Sequence, residues 1–251
     1  MENTFLQQDL PIDPQPQYRY EDYTLESGTT FHLRLVQRHR LWGHYLWNAG
    51  KVAAELIASH SKDWISGKSV LEFGAASSLP SIVAAASGAS FVCSTDYDDD
   101  ELIENIRHNF DTNQPLVKAP FVATGYVWGS GMSSSGQAGY ASLLEANGGK
   151  PYDFVIMADL VFNHVVREKL LGSCKAVIGP SSLVLVTFTA HRPHLLEEDL
   201  KFFSVAETLG FEVQQQPSVE TGVMFEEDPG DAAIRSKVWV FLMRLSSAVS
   251  E

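Results

Sequence analysis

The stretch from Ser69 to Asp96, SVLEFGAASSLPSIVAAASGASFVCSTD, restricts the possible architecture more than any other part of the chain. An apolar run ends in Glu72-Phe73-Gly74, small residues follow, then an Ala-rich segment, then a second apolar run that closes on an acid. The order is strand, tight loop, helix, strand, with a carboxylate at the end of the second strand. In an open α/β sheet this arrangement builds a nucleotide crevice. Loop backbone approaches the ligand, and an acid about 20 residues on accepts hydrogen bonds from ribose hydroxyls. Here Gly74 is followed by Ala75 and Ala76, not by the further glycines of G-x-G-x-x-G that let backbone close on a pyrophosphate. The pattern therefore predicts a nucleoside without phosphates, of which S-adenosylmethionine is the common one. Gly74 lets the chain turn where a Cβ would obstruct that ligand. Asp96 is the expected ribose acceptor, and the acids at 98–101 suit the first turn of the next helix.

Around this core the chain reads as a series of alternating elements. Residues 1–17 are polar and carry Pro11, Pro14 and Pro16, the composition of a flexible arm. Residues 18–38 hold two alternating runs separated by Glu26-Ser27-Gly28, a β-hairpin pattern. From Trp42 to His60, apolar residues at 46, 49, 52, 53, 56 and 57 mark a helical face. Strand candidates follow at 69–73, 90–95, 119–123, 153–158, 182–188 and 236–244, with a weaker one at 211–216. Helical patterns fall between them at 80–87, 99–110, 137–146, 164–177 and 194–209. Strands alternating with helices predict an α/β fold with a mostly parallel sheet and right-handed crossovers. The last strand follows a loop instead of a helix, which allows it to run antiparallel. Gly129 to Gly139 is a Gly/Ser-rich insert. One domain over 18–251 is the simplest partition.

Composition narrows the class. The 251 residues are 45% hydrophobic and 20% charged, ordinary values for a folded globular chain. No run approaches the length of a membrane span, and MENTFLQQDLPIDPQPQ has neither the basic start nor the apolar centre of a secretory leader. Cys93 and Cys174, the two cysteines, both lie in apolar contexts, which predicts buried reduced thiols and a cytoplasmic setting. A net charge of −13 argues against nucleic-acid backbone as a partner and suits a cationic or basic acceptor.

A second constellation is Tyr152-Asp153-Phe154-Val155-Ile156-Met157-Ala158-Asp159-Leu160-Val161-Phe162-Asn163. Asp159 closes a strand at its carboxyl end, where ligands bind in such sheets. A carboxylate there orients a substrate amine or meets the amino-acid part of the cofactor. Asn163 is placed to cap the next helix, which frees Asp159 from that task. Trp42, Trp47 and Trp128 are candidate ligand walls, since an aromatic face stacks on adenine or sits beside a sulfonium. His39, His44, His164, His191 and His194 show no metal-ligand spacing, so no metal is assigned, and His191 and His194 read as part of a structural loop.

The blocks Leu41-Trp42-Gly43-His44-Tyr45-Leu46-Trp47-Asn48-Ala49, Val70-Leu71-Glu72-Phe73-Gly74-Ala75-Ala76, Ser94-Thr95-Asp96-Tyr97, Gly125-Tyr126-Val127-Trp128-Gly129, Ala158-Asp159-Leu160-Val161-Phe162-Asn163-His164 and His191-Arg192-Pro193 together resemble the fungal seven-stranded methyltransferases. They are most similar to the branch once labelled nicotinamide N-methyltransferase and since assigned to N-terminal and lysine methylation of translation elongation factor 1-alpha. The resemblance runs from about Tyr20 to Leu245. It implies a Rossmann-like seven-stranded sheet, S-adenosylmethionine as cofactor and a protein amine as acceptor. It implies cofactor contacts at Trp47, Gly74, Ala75, Ala76, Asp96, Trp128 and Ala158, to which the strand-end position beside Gly74 adds Glu72 as an expected cofactor residue. Asp159 to Phe162 matches the family's D-x-x-F/Y motif beside the acceptor amine, which makes Asp159 and Phe162 the expected catalytic pair. No dedicated general base is assigned. The chain departs from the family pattern at Gln37-Arg38-His39-Arg40, at Thr189-Ala190 before His191, and at Ser77-Ser78. The first two departures lie near the expected acceptor entrance. A small natural-product or nicotinamide-like acceptor, and a methyltransferase fold without transferase activity, are the alternatives to a protein amine.

Overall fold

Strands and helices alternate as the apolar punctuation predicts, in a computed structural model that describes residues 18–36, 43–131 and 139–246. Strands β1 (Tyr18–Thr24) and β2 (Thr30–Val36) form the hairpin, followed by helices α1 (Asn48–Ser59) and α2 (Ser61–Trp64). The alternating series then runs β3 (Ser69–Phe73), α3 (Leu79–Ala86), β4 (Phe91–Asp96), α4 (Asp100–Thr112), β5 (Phe121–Gly125), α5 (Tyr140–Ala146) and β6 (Tyr152–Ala158). It ends with α6 (Arg167–Val177), β7 (Ile178–Thr189), α7 (Leu196–Thr208), β8 (Phe211–Glu220), α8 (Ala232–Arg235) and β9 (Lys237–Leu245).

Seven strands make one sheet in the order β5-β4-β3-β6-β7-β9-β8. Strands β5, β4, β3, β6 and β7 pair in parallel, whereas β9 inserts between β7 and β8 and runs antiparallel to both. The expected α/β fold with an antiparallel last strand is therefore the fold observed. Strand order reverses across the β3–β6 pair, so the carboxyl ends of β3, β4 and β6 flank the crevice that open sheets use for ligands.

Both faces of the sheet are covered, which is why its central strands read as unbroken apolar runs rather than alternating ones. All five residues of β3 are buried. Val70, Phe154, Ile156 and Leu185 pack with α1, α3 and α4 on one face. Leu71, Phe73, Val155, Met157 and Val186 pack with α6 and α7 on the other. Each such fully buried side chain contributes roughly 1.5–3 kcal/mol. Cys93 and Cys174 are buried and unpaired, and burial pushes the Cys93 thiol up to about 11.

The hairpin is held to the sheet by a device that the periodicity did not suggest. Asn105 and Asn109 on α4 and Asn113 at its C-cap, one turn apart, are buried and bond the backbone of β2 as a neighbouring strand would. Arg34 N–H donates to Asn109 Oδ1 at 2.7 Å and Asn109 Nδ2 returns a bond to the Arg34 carbonyl at 2.9 Å. His32 and Asn113 repeat the exchange at 3.0 and 2.8 Å. Asn105 accepts from Arg34 Nε at 2.8 Å and donates to the Arg34 carbonyl at 3.0 Å. A free strand edge is thereby satisfied by side-chain amides.

Several element boundaries differ from those expected. The helix expected from Trp42 begins at Asn48: Gly43 to Trp47 is not helical, and Leu46 keeps the apolar period because it is buried there. Trp42, residues 1–17 and most of the Gly/Ser-rich insert lie outside the described residues. Strand β8 extends four residues past the expected end, through Pro217, because it is an edge strand whose register shifts between Gln216 and Val219. The helices expected at 164–177 and 194–209 each open with a short 3₁₀ turn, His164–Val166 and Pro193–Leu195. Asn163 makes no side-chain cap, contrary to the expectation, because the chain enters α6 through that 3₁₀ turn. Asp99 does cap α4, accepting from the Glu101 and Leu102 amides at 3.0 and 3.4 Å.

Candidate active site

The loop after β3 is shaped by close backbone approach. Gly74 has φ +61°, and a Cβ there would stand 2.6 Å from Leu160 Cδ2. Glycine is therefore needed twice over, for the left-handed backbone and for the space. The next turn carries two further left-handed residues, Ala76 at φ 47° and Ser78 at φ 60°. Both are tied to β4. Ala75 N–H donates to the Thr95 carbonyl at 2.9 Å, Ala76 N–H to Asp96 Oδ2 at 2.7 Å, and the Ser78 and Ser94 hydroxyls share a 2.8 Å bond. Asp96 is half-buried, with its other oxygen accepting from Tyr97 N–H at 2.7 Å. Gly74, Ala75, Ala76 and Asp96 thus lie together at the carboxyl ends of β3 and β4.

Glu72 sits one layer deeper than a ligand contact. Its side chain is 1% exposed and Oε2 accepts from the Ser81 amide at 3.0 Å and the Ser81 hydroxyl at 2.5 Å. Burial pushes its carboxyl up to about 8, the Ser81 bonds oppose that rise, and the Asp96 charge adds to it. Glu72 braces the first turn of α3 beneath the Gly74 loop. On the far side of Asp96, the Tyr126 amide donates to the Asp96 carbonyl at 2.8 Å, and Trp128 follows two residues on, half-buried against the α6 side of the core.

A second cluster forms where β6 and β7 end. Beyond Ala158, Asp159 adopts φ +60° and its amide donates to the Thr187 carbonyl at 2.7 Å. Asp159 is 8% exposed: Oδ1 accepts from Thr189 N–H at 3.1 Å, and Oδ2 lies 3.1 Å from His191 Nε2. Trp47 meets the His191 ring edge-on at 5.0 Å between centroids, and Tyr45 and Phe225 continue the aromatic wall at 5.4 and 6.1 Å from Trp47. Phe162 is 40% exposed, with its carbonyl accepting from Arg192 at 3.4 Å. Behind it, His164 Nε2 stands 2.6 Å from Asp199 Oδ1, and burial raises the Asp199 carboxyl while His164 pulls it back.

Asp159, Phe162 and Trp47 therefore gather at one end, with Leu160 touching the Gly74 loop and joining the two clusters. Trp47, expected among the cofactor residues, packs against His191 on the Asp159 side. The sequence reading of His191 as part of a structural loop differs from its place here beside Asp159, and Tyr45 and Phe225 carried no expected role. His191 had a usable signal, since it follows a strand at the carboxyl edge where site residues collect. Phe225 had none, lying in a long loop far along the chain.

A family model described as lysine methyltransferase matches residues 33–208. The chain belongs to this family. It is 42% identical, over 85% of its length and 82% of the relative's, to a protein named protein N-terminal and lysine N-methyltransferase in Schizosaccharomyces pombe. Its fold is that of a protein from Streptococcus mutans assigned as an S-adenosylmethionine-dependent methyltransferase, at TM-score 0.61 and 14% identity. That alignment covers 92% of this chain and 56% of the other. A methyltransferase structure complexed with SAH aligns at TM-score 0.58 and 14% identity, over 91% of this chain and 57% of that one. The chain is thus an S-adenosylmethionine-dependent methyltransferase.

The residues fit that cofactor. The loop lacks the glycines a pyrophosphate needs, and Asp96 offers a half-buried carboxylate at a strand end, whereas the space a Cβ at Gly74 would take is that of Leu160 and not of a ligand. Gly74, Ala75, Ala76 and Asp96 are the residues that would hold the nucleoside, and Ala158 and Trp128 those that would flank it. Bound there, S-adenosylmethionine supplies an electrophilic methyl group on a sulfonium.

Proposed function

We propose that this enzyme methylates a protein amine, the N-terminal α-amino group and/or a lysine, and that translation elongation factor 1-alpha carries it. The observation that carries this reading is the form of the acceptor side. Buried Asp159 continues through His191, Trp47, Tyr45 and Phe225 to a surface trough of about 370 Å³, which Arg19, Lys51 and Thr221 also line. A shelf reached from an open trough suits a chain end or side chain presented by a large partner. The name of the Schizosaccharomyces pombe relative supports the same acceptor class.

The residues' tasks follow from what an amine needs. It attacks only as the neutral base, and an apolar, aromatic surround lowers the pKa of an ammonium. Phe162 and Trp47 provide that surround. Asp159 and the backbone around Leu160 to Phe162 hold the nitrogen and fix its line of approach. Such positioning is worth roughly 7–11 kcal/mol of a barrier.

The test is transfer of radiolabelled methyl into a cell lysate by the purified enzyme. One labelled protein band at the size of elongation factor 1-alpha, lost in the Asp159→Ala enzyme, is the expected result. Label confined to the small-molecule fraction would overturn the proposal in favour of a natural-product or nicotinamide-like acceptor.

A further inference from the structure

We infer that His191 is the general base that removes the proton from the acceptor ammonium, with Asp159 fixing its tautomer. This rests on the amine acceptor proposed above and adds to it the group that makes the amine reactive. An ionised carboxylate accepts hydrogen bonds and donates none, so the 3.1 Å contact from His191 Nε2 to Asp159 Oδ2 places the imidazole proton on Nε2. That leaves the lone pair on Nδ1, which meets no hydrogen-bond partner among the described residues. The ring is 23% exposed, enough to pass a proton to solvent, while the Asp159 side chain is buried and locked by the Thr189 amide. Trp47 against the ring edge holds its plane.

The charged groups around the pair favour the same assignment. Asp159 faces the ring directly, Arg192 is its chain neighbour, and the His164–Asp199 pair lies behind, with Asp199 sensing both Arg192 and Asp159. An imidazolium formed at His191 is stabilised by the Asp159 carboxylate it already touches. In the step itself, Nδ1 takes a proton from the bound R–NH₃⁺. The freed nitrogen pair forms the N–C bond as the methyl carbon's bond to sulfur breaks, its electron pair leaving with sulfur. The proton then departs from Nδ1 to water.

The test uses His191→Gln, because a glutamine amide donates to Asp159 as Nε2 does but cannot accept the amine's proton. The substrate is elongation factor 1-alpha with an unblocked N-terminus, and the readout is the single-turnover rate of α-amino methylation by mass spectrometry from pH 6.5 to 9.5. General-base loss lowers the rate by roughly 5–10-fold at pH 7, where only about a tenth of such α-amino groups are neutral. The deficit shrinks above pH 8, because a free α-amino group with pKa of about 7.7–8.0 sheds its own proton there. A second readout needs no turnover. The ¹⁵N spectrum of the cofactor-free enzyme shows His191 with a proton-bearing Nε2 and a bare Nδ1, a pattern lost in Asp159→Ala. A deficit constant across pH, wild-type rates in His191→Gln, or the Nδ1–H tautomer would each overturn the base while leaving the protein-amine reading intact. If the wild-type enzyme itself leaves the protein unlabelled, that reading fails and the base assignment falls with it.

Discussion

Replacing Glu72 by Gln should make the enzyme more stable in mildly alkaline buffer. The Glu72 carboxyl is 1% exposed, and among the described residues its Oε2 accepts from the Ser81 amide and hydroxyl. Burial raises its pKa from the ordinary 4.5 to about 8, so the folded protein keeps a proton that the unfolded chain has already released. Where the folded state binds more protons, stability falls as pH rises, by about 1.4 kcal/mol per pH unit for one group. The contribution of Glu72 is fully present below about pH 4.5 and is lost progressively up to about pH 8, a total of about 5 kcal/mol. Glutamine has the shape of the protonated acid, and its carbonyl can accept both Ser81 bonds, without the charge. Urea denaturation of both proteins at pH 5, 6.5 and 8 isolates the effect, because Asp199, also raised by burial, titrates equally in each. The difference in unfolding free energy should grow in favour of Glu72→Gln as pH rises. Parallel pH profiles would refute the reasoning, since they would mean that Glu72 ionises in the folded protein as readily as in the unfolded chain.

Gly74→Ala forces a Cβ into left-handed backbone and onto Leu160 Cδ2, so it should lose about 1–2 kcal/mol from backbone strain alone. Calorimetry should show S-adenosylmethionine affinity falling at least roughly tenfold, and wild-type affinity would contradict the role given to this loop. Asp159→Ala should bind the cofactor almost as the wild type does, while single-turnover methyl transfer drops by roughly 10²-fold or more. Asn109→Ala removes bonds to the Arg34 amide, the Arg34 carbonyl and the Ser77 carbonyl, and chemical denaturation should register a loss of about 2–4 kcal/mol. Limited proteolysis should then cut first in the 18–36 hairpin, and unchanged resistance there would refute the strand-mimic role of the α4 asparagines.

The sheet was legible because burial on both faces leaves a mark no surface element shares. Strand β3 is five buried residues, and SVLEF reads as a strand with no knowledge of its neighbours. The same logic located Gly74, Asp96 and Asp159, which all stand where a strand ends and polar chemistry begins. Hairpin docking was not legible. Asn105, Asn109 and Asn113 are mediocre helix formers, and nothing local distinguishes an amide that bonds β2 from one that faces water. The start of α1 is obscured in the sequence for a related reason. Leu46 is buried by tertiary packing although it lies outside the helix, so the apolar spacing continues past the true helix start.

Conformation at the site was hidden in the sequence even where identity was clear. Ala76, Ser78 and Asp159 hold left-handed backbone, a conformation glycine reaches readily and each of these residues adopts at a penalty on the order of 1–3 kcal/mol. All three lie at the carboxyl edge of the sheet, and each is pinned by a neighbouring strand: Ala76 by Asp96, Ser78 by Ser94, Asp159 by the Thr187 carbonyl. Strain of this kind survives only where surrounding bonds overdetermine it. The bonds that hold it here also aim the Asp96 carboxylate at one side of the crevice and the Asp159–His191 pair at the other. Asp96 accepts the Ala76 amide and so cannot swing away from the loop, and Asp159 must present Oδ2 to His191 because Oδ1 is held by Thr189. On the proposed function, the same hydrogen bonds that secure the tight turns would fix the nucleoside wall relative to the acceptor shelf, which is the geometric requirement of an in-line transfer.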